Sequence, residues 1–404
     1  MNEIKMMKMN TQPSLIKLFS SFLRLGLTAF GGPSMVAYIR KMSVEENHWI
    51  DNEDFKNGVA LCQIIPGATA MQSAAYVGLK TRGFFGAAAT FIGFGFPAFI
   101  LMSTLAAVYK SVIGYPISIF IFNCLQAIIV AIIANAAITF GKVTLKDWKS
   151  ILITVFAIIL FALEINPIII ILLSAVSGIF LGMKNQILKP GTMSNIQVEE
   201  QSNEKRNSLF IQIIIILSVY LLLLLVLYIF NKNLFFLSTL MFRIDLFAFG
   251  GGFASIPLMF HEFVDIRHLL DSKTFLDGIA LGQVTPGPIV ITATFIGYLL
   301  SGLPGAIIGT VSIFLPSFLM VIGVTPFFDK LRNKKLFNEI IRGVLSSFVG
   351  LLFTVTFRFA SALHWEVFLI FLAVTALTAL LLKTDILYVV LSGVAISLII
   401  FFLT

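Results

Sequence analysis

Two short stretches hold the residue types with the most chemical potential. Residues 60–67 read ALCQIIPG and residues 280–287 read ALGQVTPG, each setting Pro-Gly inside a long apolar segment. Pro lacks an amide proton and Gly tolerates unusual dihedrals, so both are costly within a helix. Pro286 biases Thr285 away from helical geometry, and Pro288 suits the first position of a new helix. The pattern predicts two half-helices joined by a break. The second half-helix would offer free amides at Ile289, Val290 and Ile291 with partial positive charge, a setting that binds phosphate- or sulfate-like anions. Around Pro286, Gly287 and Pro288, the side chains of Gln283, Thr292 and Thr294 add donors; the matching set at the earlier break is Gln63, Pro66, Gly67, Thr69 and Gln72. Together the two breaks would line one donor-rich cavity, with the second the more sensitive because Pro288 presets its half-helix and Ala68 does not.

Each feature also has a plainer reading. Pro and Gly are common in membrane helices as kinks or close-packing points, but duplication with flanking Gln and Thr favours a site. Gly31, Gly32, Gly250 and Gly251 fit small-residue packing or a second helix break facing the cavity. Arg24 and Arg243 occupy one position in two related stretches, and an Arg within a span usually meets a partner or an aqueous cavity. Anion balance is the functional reading; snorkelling of Arg24 and neutralisation of Arg243 by Asp245 are the structural ones. Snorkelling is expected for Arg342. Asp277 reads as a helix cap at a span entrance, with proton binding as the alternative. The loop acids, His48, His261 and His268 show no metal-ligand spacing, and no cofactor is expected.

The elements that must position these residues follow from composition. The chain has 404 residues, 58% hydrophobic and 12% charged, with mean hydropathy +0.99. A soluble domain carries about 25% charged residues, so this is an integral membrane protein. Apolar blocks long enough to cross a bilayer predict a polytopic helical bundle. Thirteen spans are expected near 15–33, 56–79, 83–109, 117–140, 150–165, 167–183, 209–230, 234–252, 275–300, 304–327, 337–360, 365–382 and 385–403. The organisation is then a cytoplasmic N-terminus (1–14), a first repeat (15–183), a polar linker (184–208), an unmatched span (209–230) and a second repeat (231–404). The N-terminus reads as a retained first span without a cleavage signal. Counted over these loops, basic residues strongly favour the side of the N-terminus, leaving only Arg40, Lys41, Lys56, Lys110, Lys232 and Arg358 outside. By the positive-inside rule the N-terminus is cytoplasmic and the C-terminus outside, in the plasma membrane. The net charge of +8 is mostly this topogenic signal, and no nucleic-acid partner is expected.

The chain contains two copies of one unit. LTAFGG at 27–32 matches LFAFGG at 246–251, and Gly78, Gly83, Gly86 and Pro97 match Gly297, Gly302, Gly305 and Pro316 in one register. The second copy begins seven spans after the first, and an odd shift inverts it, as in many secondary transporters. If the Pro-Gly segments were re-entrant hairpins, the shift would be even and the halves parallel. The fold class expected is an all-α polytopic membrane protein of about 13 transmembrane helices, in two inverted-topology repeats with Pro-Gly-broken helices.

These blocks, FGGP and ALCQIIPG followed by FGG, ALGQVTPGPIVITATFIGY, GLPGA and FLPSF, resemble the two-copy chromate transporters, the CHR family of chromate ion transport proteins. The resemblance spans both halves; PGA at 66–68 stands where PGP is frequent, and GGPSMVAY lacks a His often found after GGP. It implies export of chromate across the plasma membrane, with sulfate the nearest competitor. The expected partners are a chromate- or sulfate-like oxyanion, the lipid bilayer and a second copy of the chain as a homodimer. A permease for sulfate or another oxyanion is the near alternative. An intramembrane enzyme would need a nucleophile–base pair, a carboxylate dyad or metal ligands within the spans, and the few in-span acids do not repeat.

Overall fold

The computed structural model describes residues 13–182, 203–332 and 334–403. The N-terminal segment to residue 12, most of the expected linker (184–202) and Thr404 lie outside the described residues. Every regular element among the described residues is helical.

In the first copy α1 (Leu15–Thr28), capped by Ser14, ends before Gly31, where φ is +75°. The chain resumes as α2 (Gly32–Arg40), continued by a π-turn at Lys41–Glu46. Next, α3 (Asn52–Ile64) is capped by Asp51, which accepts from the Glu53 and Asp54 amides, and stops where Pro66 forbids continuation. The helical run α4 (Thr69–Val112) would be about 66 Å long if straight. It is folded at Arg82 and Gly83, where Gly83 has φ +62°. There follow α5 (Pro116–Thr144), α6 (Trp148–Ala162) and α7 (Pro167–Phe180), then the unmatched α8 (Asn203–Phe230).

The second copy repeats the order with α9 (Lys232–Leu246), a 3₁₀ turn and α10 (Ser255–Phe260), a π-turn at His261–Ile266, and α11 (Ser272–Val284). After the break come a 3₁₀ turn (Ile289–Ile291) and α12 (Thr292–Val324), folded at Ser301 and Gly302. The chain closes with α13 (Phe328–Arg332), α14 (Lys335–Ala362), α15 (Val367–Leu381) and α16 (Ile386–Leu403). Both copies even share the π-turn, which supports descent from one unit.

The segments expected to span at 56–79 and 275–300 are hairpins. A Cβ added at Gly58 would lie 2.2 Å from the Tyr76 ring, and one at Gly278 would lie 2.5 Å from the Phe295 ring. Along one continuous helix, Gly58 and Tyr76 would be about 27 Å apart. Each arm is too short to cross about 30 Å of hydrocarbon, so Pro-Gly forms the tip of a re-entrant loop. A second turn follows at once: a Cβ at Gly78 would lie 2.2 Å from the Gly86 carbonyl, and one at Gly297 the same distance from Gly305. Glycine at both positions lets the returning arm touch the long helix backbone to backbone.

The FGG breaks make hairpins too. Phe22 stacks on Trp49 with centroids 6.5 Å apart, and Arg267 lies 4.8 Å over the Phe236 ring, so each unit returns to the side it entered. Two spans per copy are therefore replaced by hairpins, and the parity between copies stays odd because α8 crosses between them. Inversion is visible directly in α4 and α12. Phe84 meets Phe318 at 5.9 Å and Phe91 meets Phe314 at 6.3 Å, so the two helices run antiparallel. Equivalent helices related by a two-fold axis are antiparallel only when that axis is perpendicular to them, which places it in the membrane plane.

Among the described residues, six helical stretches have the length and apolarity to cross a membrane: Thr69–Val112, Pro116–Thr144, Asn207–Phe230, Ile289–Phe327, Lys335–Ala362 and Ile386–Leu403. The fold at Gly83 and Gly302 leaves the crossing parts of the first and fourth beyond those turns. Exposed Phe180, Phe230, Val367 and Leu403 belong to an apolar outer belt that suits lipid.

Candidate functional site

The four helix breaks converge, and they do so across the repeats. The Gly67 amide donates to the Ala248 carbonyl at 2.9 Å, and the Gly287 amide donates to the Ala29 carbonyl at 3.1 Å. Thus each Pro-Gly tip docks on the FGG break of the other copy. Both tip glycines have strongly positive φ, +116° and +117°, which L side chains rarely adopt. Behind each tip stands the Pro of the other copy's long helix: Gly67 faces Ser317, next to Pro316, and Gly287 faces Ala98, next to Pro97. A helix of 84–112 has its midpoint near residue 98, so the tips meet at mid-depth.

Where the sequence led to a donor-rich cavity between the breaks, the described residues form a closed junction. Pro66, Gly67, Ala68, Pro286, Gly287 and Pro288 are all buried. Gly251 and Gly252 cover it: a Cβ at Gly251 would lie 3.1 Å from Thr69 Oγ1, and one at Gly252 would lie 3.1 Å from Val290. Of the three amides expected to be free, Ile291 donates to the Pro288 carbonyl at 2.9 Å, because the break resumes as a 3₁₀ turn that bonds three residues back. Ile289 and Val290 find no backbone acceptor among the described residues and remain as donors.

The polar side chains divide. Gln72 Nε2 donates to the Pro66 carbonyl at 2.6 Å and spans the first tip from within, while its Oε1 is buried without a partner among the described residues. Gln283 is buried beside the second break, and its Nε2 has no acceptor among the described residues. Thr292 Oγ1 is turned back to the Ile289 carbonyl at 2.8 Å, and Thr294 meets Thr310 at 2.6 Å on the neighbouring arm. Thr69 sits at the junction, half-buried. Gln63 and Arg24 are exposed on their helices and are not brought to the tips. Gly31 lies beside Asp385, and Gly250 packs toward Leu345.

Arg243 is not neutralised by Asp245. It pairs with Glu262, whose other oxygen lies 2.7 Å from the Arg267 guanidinium as a second ion pair. Residues two apart on a helix point about 200° from each other, so Arg243 and Asp245 cannot share a face. Asp245 instead accepts from the Ser317 amide at 2.8 Å and from the Ser317 hydroxyl at 2.7 Å. Ser317 Oγ in turn accepts from the Ala68 amide at 3.0 Å, which ties the acid to the first tip. Sequence reasoning missed this pair; the repeated Pro97 and Pro316 were the available signal, since only contact shows what sits beside them.

Two further expectations change. Asp277 is not the cap of α11, a role held by Asp271, which accepts from the Thr274 amide at 3.0 Å. Asp277 lies about a turn and a half into the helix, buried, accepting from Tyr109 at 2.8 Å and Gln126 at 2.6 Å. Arg342 does not snorkel; it is buried and paired with Asp147. Asp147 also caps α6. Partial burial raises its pKa, but the Ser150 hydroxyl and amide, Arg342 and Lys149 together hold it below the ordinary carboxylate value.

Comparison with known proteins bears on these features directly. The family description "Chromate transporter" matches residues 16–179 and 234–398, one match per repeat. The chain is 42% identical to an uncharacterized transporter of Methanocaldococcus jannaschii, over 96% of this chain and 95% of that one. It is 28% identical to the chromate transport protein of Cupriavidus metallidurans, over 83% and 80% of the two chains. It is equally 28% identical to the chromate transport protein of Pseudomonas aeruginosa, over 85% and 80%. No solved structure matches the chain. The doubled match follows the two inverted copies that carry the Pro-Gly and FGG hairpins, and this chain belongs to the chromate transporter family.

Proposed function

We propose that this chain is a secondary transporter exporting chromate, a tetrahedral oxyanion, across the plasma membrane through the junction of its four helix breaks. The observation that carries this reading is the reciprocal docking of the Gly67 and Gly287 amides on Ala248 and Ala29. Bonds of this kind between two inverted units can open on one side while holding on the other, which is what alternating access requires. Opening would free the tip amides, and these join Ile289, Val290 and the unpartnered Gln283 Nε2 as donors for an oxyanion. Arg24 and Arg243 would serve as approach charges; both are exposed at least in part, and Arg243 already balances Glu262.

Orientation with the N-terminus inside has support from the hairpins. Lys80 pairs with Asp54 and Arg40 bonds Asn52, which moves Arg40, Lys41 and Lys56 to the side of the N-terminus. Arg267 returns to the start of α9 on the other side and takes Lys273 with it. The basic residues are then still more one-sided than the simple span count suggested. With that orientation, a dianion leaving a cell that is negative inside gains about 4.6 kcal/mol per 100 mV.

The test is flux of radiolabelled chromate and sulfate in inverted membrane vesicles. Chromate accumulation that depends on membrane potential and outcompetes sulfate supports the reading. Preferred sulfate flux in either direction would make the chain a sulfate permease, and no flux of either would refute the proposal.

A further inference from the structure

The two tips are built alike but are not chemically equal. Behind the second tip stands Ala98, and the position on α1 equivalent to Asp245 is Gly26, so neither of these two positions offers it a hydroxyl or an acid. Behind the first stand Ser317 and Asp245. We propose that Asp245 and Ser317 form a proton-binding site that couples proton movement to oxyanion transport, one proton for each anion.

Asp245 is completely buried, and among the described residues no cation neutralises it. Arg243 on the same helix is committed to Glu262, and among the described residues no charged side chain reaches Asp245 from α9, α12 or the 65–68 tip. Its Oδ2 is held by Ser317, but Oδ1 is buried without a partner among the described residues. A bare carboxylate in such a place is costly, and a proton on the open oxygen removes the charge.

Ser317 makes this acid sensitive to the tip. Its hydroxyl has one proton, now given to Asp245, while its oxygen accepts the Ala68 amide. An oxyanion arriving at the first tip competes for both donors. Once the hydroxyl turns to the anion, Asp245 loses a hydrogen bond and gains a negative neighbour. Both changes favour taking a proton, so anion and proton bind together and reinforce each other, as linkage demands. The step is a simple proton transfer from water to a carboxylate oxygen, reversed on release. A dianion moving with one proton still carries net negative charge, so the membrane potential continues to favour exit.

The other buried acids are poorer candidates: Glu262 is paired with Arg243 and Arg267, and Glu339 with Lys335. Both oxygens of Asp277 are hydrogen-bonded, to Tyr109 and Gln126 on the first copy's long helices, which makes it a clamp between α11 and α4–α5.

This inference rests on the transport reading, and the experiment separates the two. Purified protein is reconstituted in liposomes clamped at zero membrane potential, in buffers alkaline enough to keep chromate fully deprotonated. Wild type should accumulate chromate about tenfold on the more alkaline side per pH unit, the ratio for one proton moving with each anion. Asp245→Asn should equilibrate chromate near a ratio of one, and Asp245→Glu should restore coupling. Independently, calorimetry of chromate binding in buffers of different ionisation enthalpy should report uptake of about one proton by wild type and none by Asp245→Asn. If Asp245→Asn does not fold, Ser317→Ala carries the same test, with the pH dependence of binding weakened. Absence of any chromate or sulfate flux would strike the transport reading. Flux with no proton uptake, accumulation on the acid side, or wild-type coupling in Asp245→Asn would overturn this inference alone.

Discussion

Gly67 is where geometry makes the sharpest demand. Its φ of +116° lies in a region that other residues adopt at a cost of about 1–3 kcal/mol. A Cβ there would lie 2.0 Å from Ser317 Oγ, and 2.8 Å from Gln72 Nε2. Ser317 cannot yield without breaking its hydrogen bond to Asp245, worth about 1.5–3 kcal/mol when the acceptor is charged. Gly67→Ala is therefore expected to lower stability by about 3–5 kcal/mol. Gly287→Ala has the same backbone cost, but its Cβ meets only the Ala98 methyl, at 2.7 Å, and is expected to cost about 2–4 kcal/mol. The sequence expectation that the second break is the more sensitive concerns anion binding; for stability the contacts predict that the first tip suffers more. The assay is thermal unfolding of purified single and double variants, followed by loss of the monodisperse peak. Ser317→Ala removes the atom in conflict, so Gly67→Ala combined with Ser317→Ala should destabilise less than the sum of the two, by about 1–3 kcal/mol. Strict additivity, or Gly67→Ala as stable as Gly287→Ala, would refute the interlocked-tip reasoning.

In a Cys62→Ser background, the pair Gly58→Cys and Tyr76→Cys should form a disulfide on mild oxidation, seen as a mobility shift; a spanning segment would hold these positions about 27 Å apart and never cross-link. Arg243→Gln should cost about 1–3 kcal/mol, because buried Glu262 keeps only Arg267, and adding Glu262→Gln should recover stability; thermal melts of the single and double variants decide this. Asp147 has a depressed folded pKa, so its contribution should be complete above the ordinary carboxylate value of about 3.9 and lost as pH falls through the depressed value. The melting temperature of Asp147→Asn should accordingly lie below wild type at neutral pH and converge on it in acid.

Much of this protein was legible in one dimension. Hydropathy requires a helical membrane fold, because lipid offers no partner for an unpaired amide, and the repeated Gly, Pro and Gln positions declare two copies. The helix breaks at Pro66-Gly67 and Pro286-Gly287 follow from local backbone chemistry, which needs no knowledge of neighbours. What a break does next is not local. A Pro-Gly pair permits a kink within a span or a reversal, and the choice here was made by contacts such as Gly58 on Tyr76 and Gly78 on Gly86. Partners of charged residues were equally hidden. Arg243 and Asp245 are neighbours in sequence, yet helical geometry sends one to Glu262 and the other to Ser317, 72 residues away. Inversion lay between these extremes: the count reached the right parity with spans that are really hairpins, because two were replaced in each copy. Only the antiparallel passage of α4 and α12 established it, since the direction of a helix in the membrane is a property of the packed assembly and not of any segment alone.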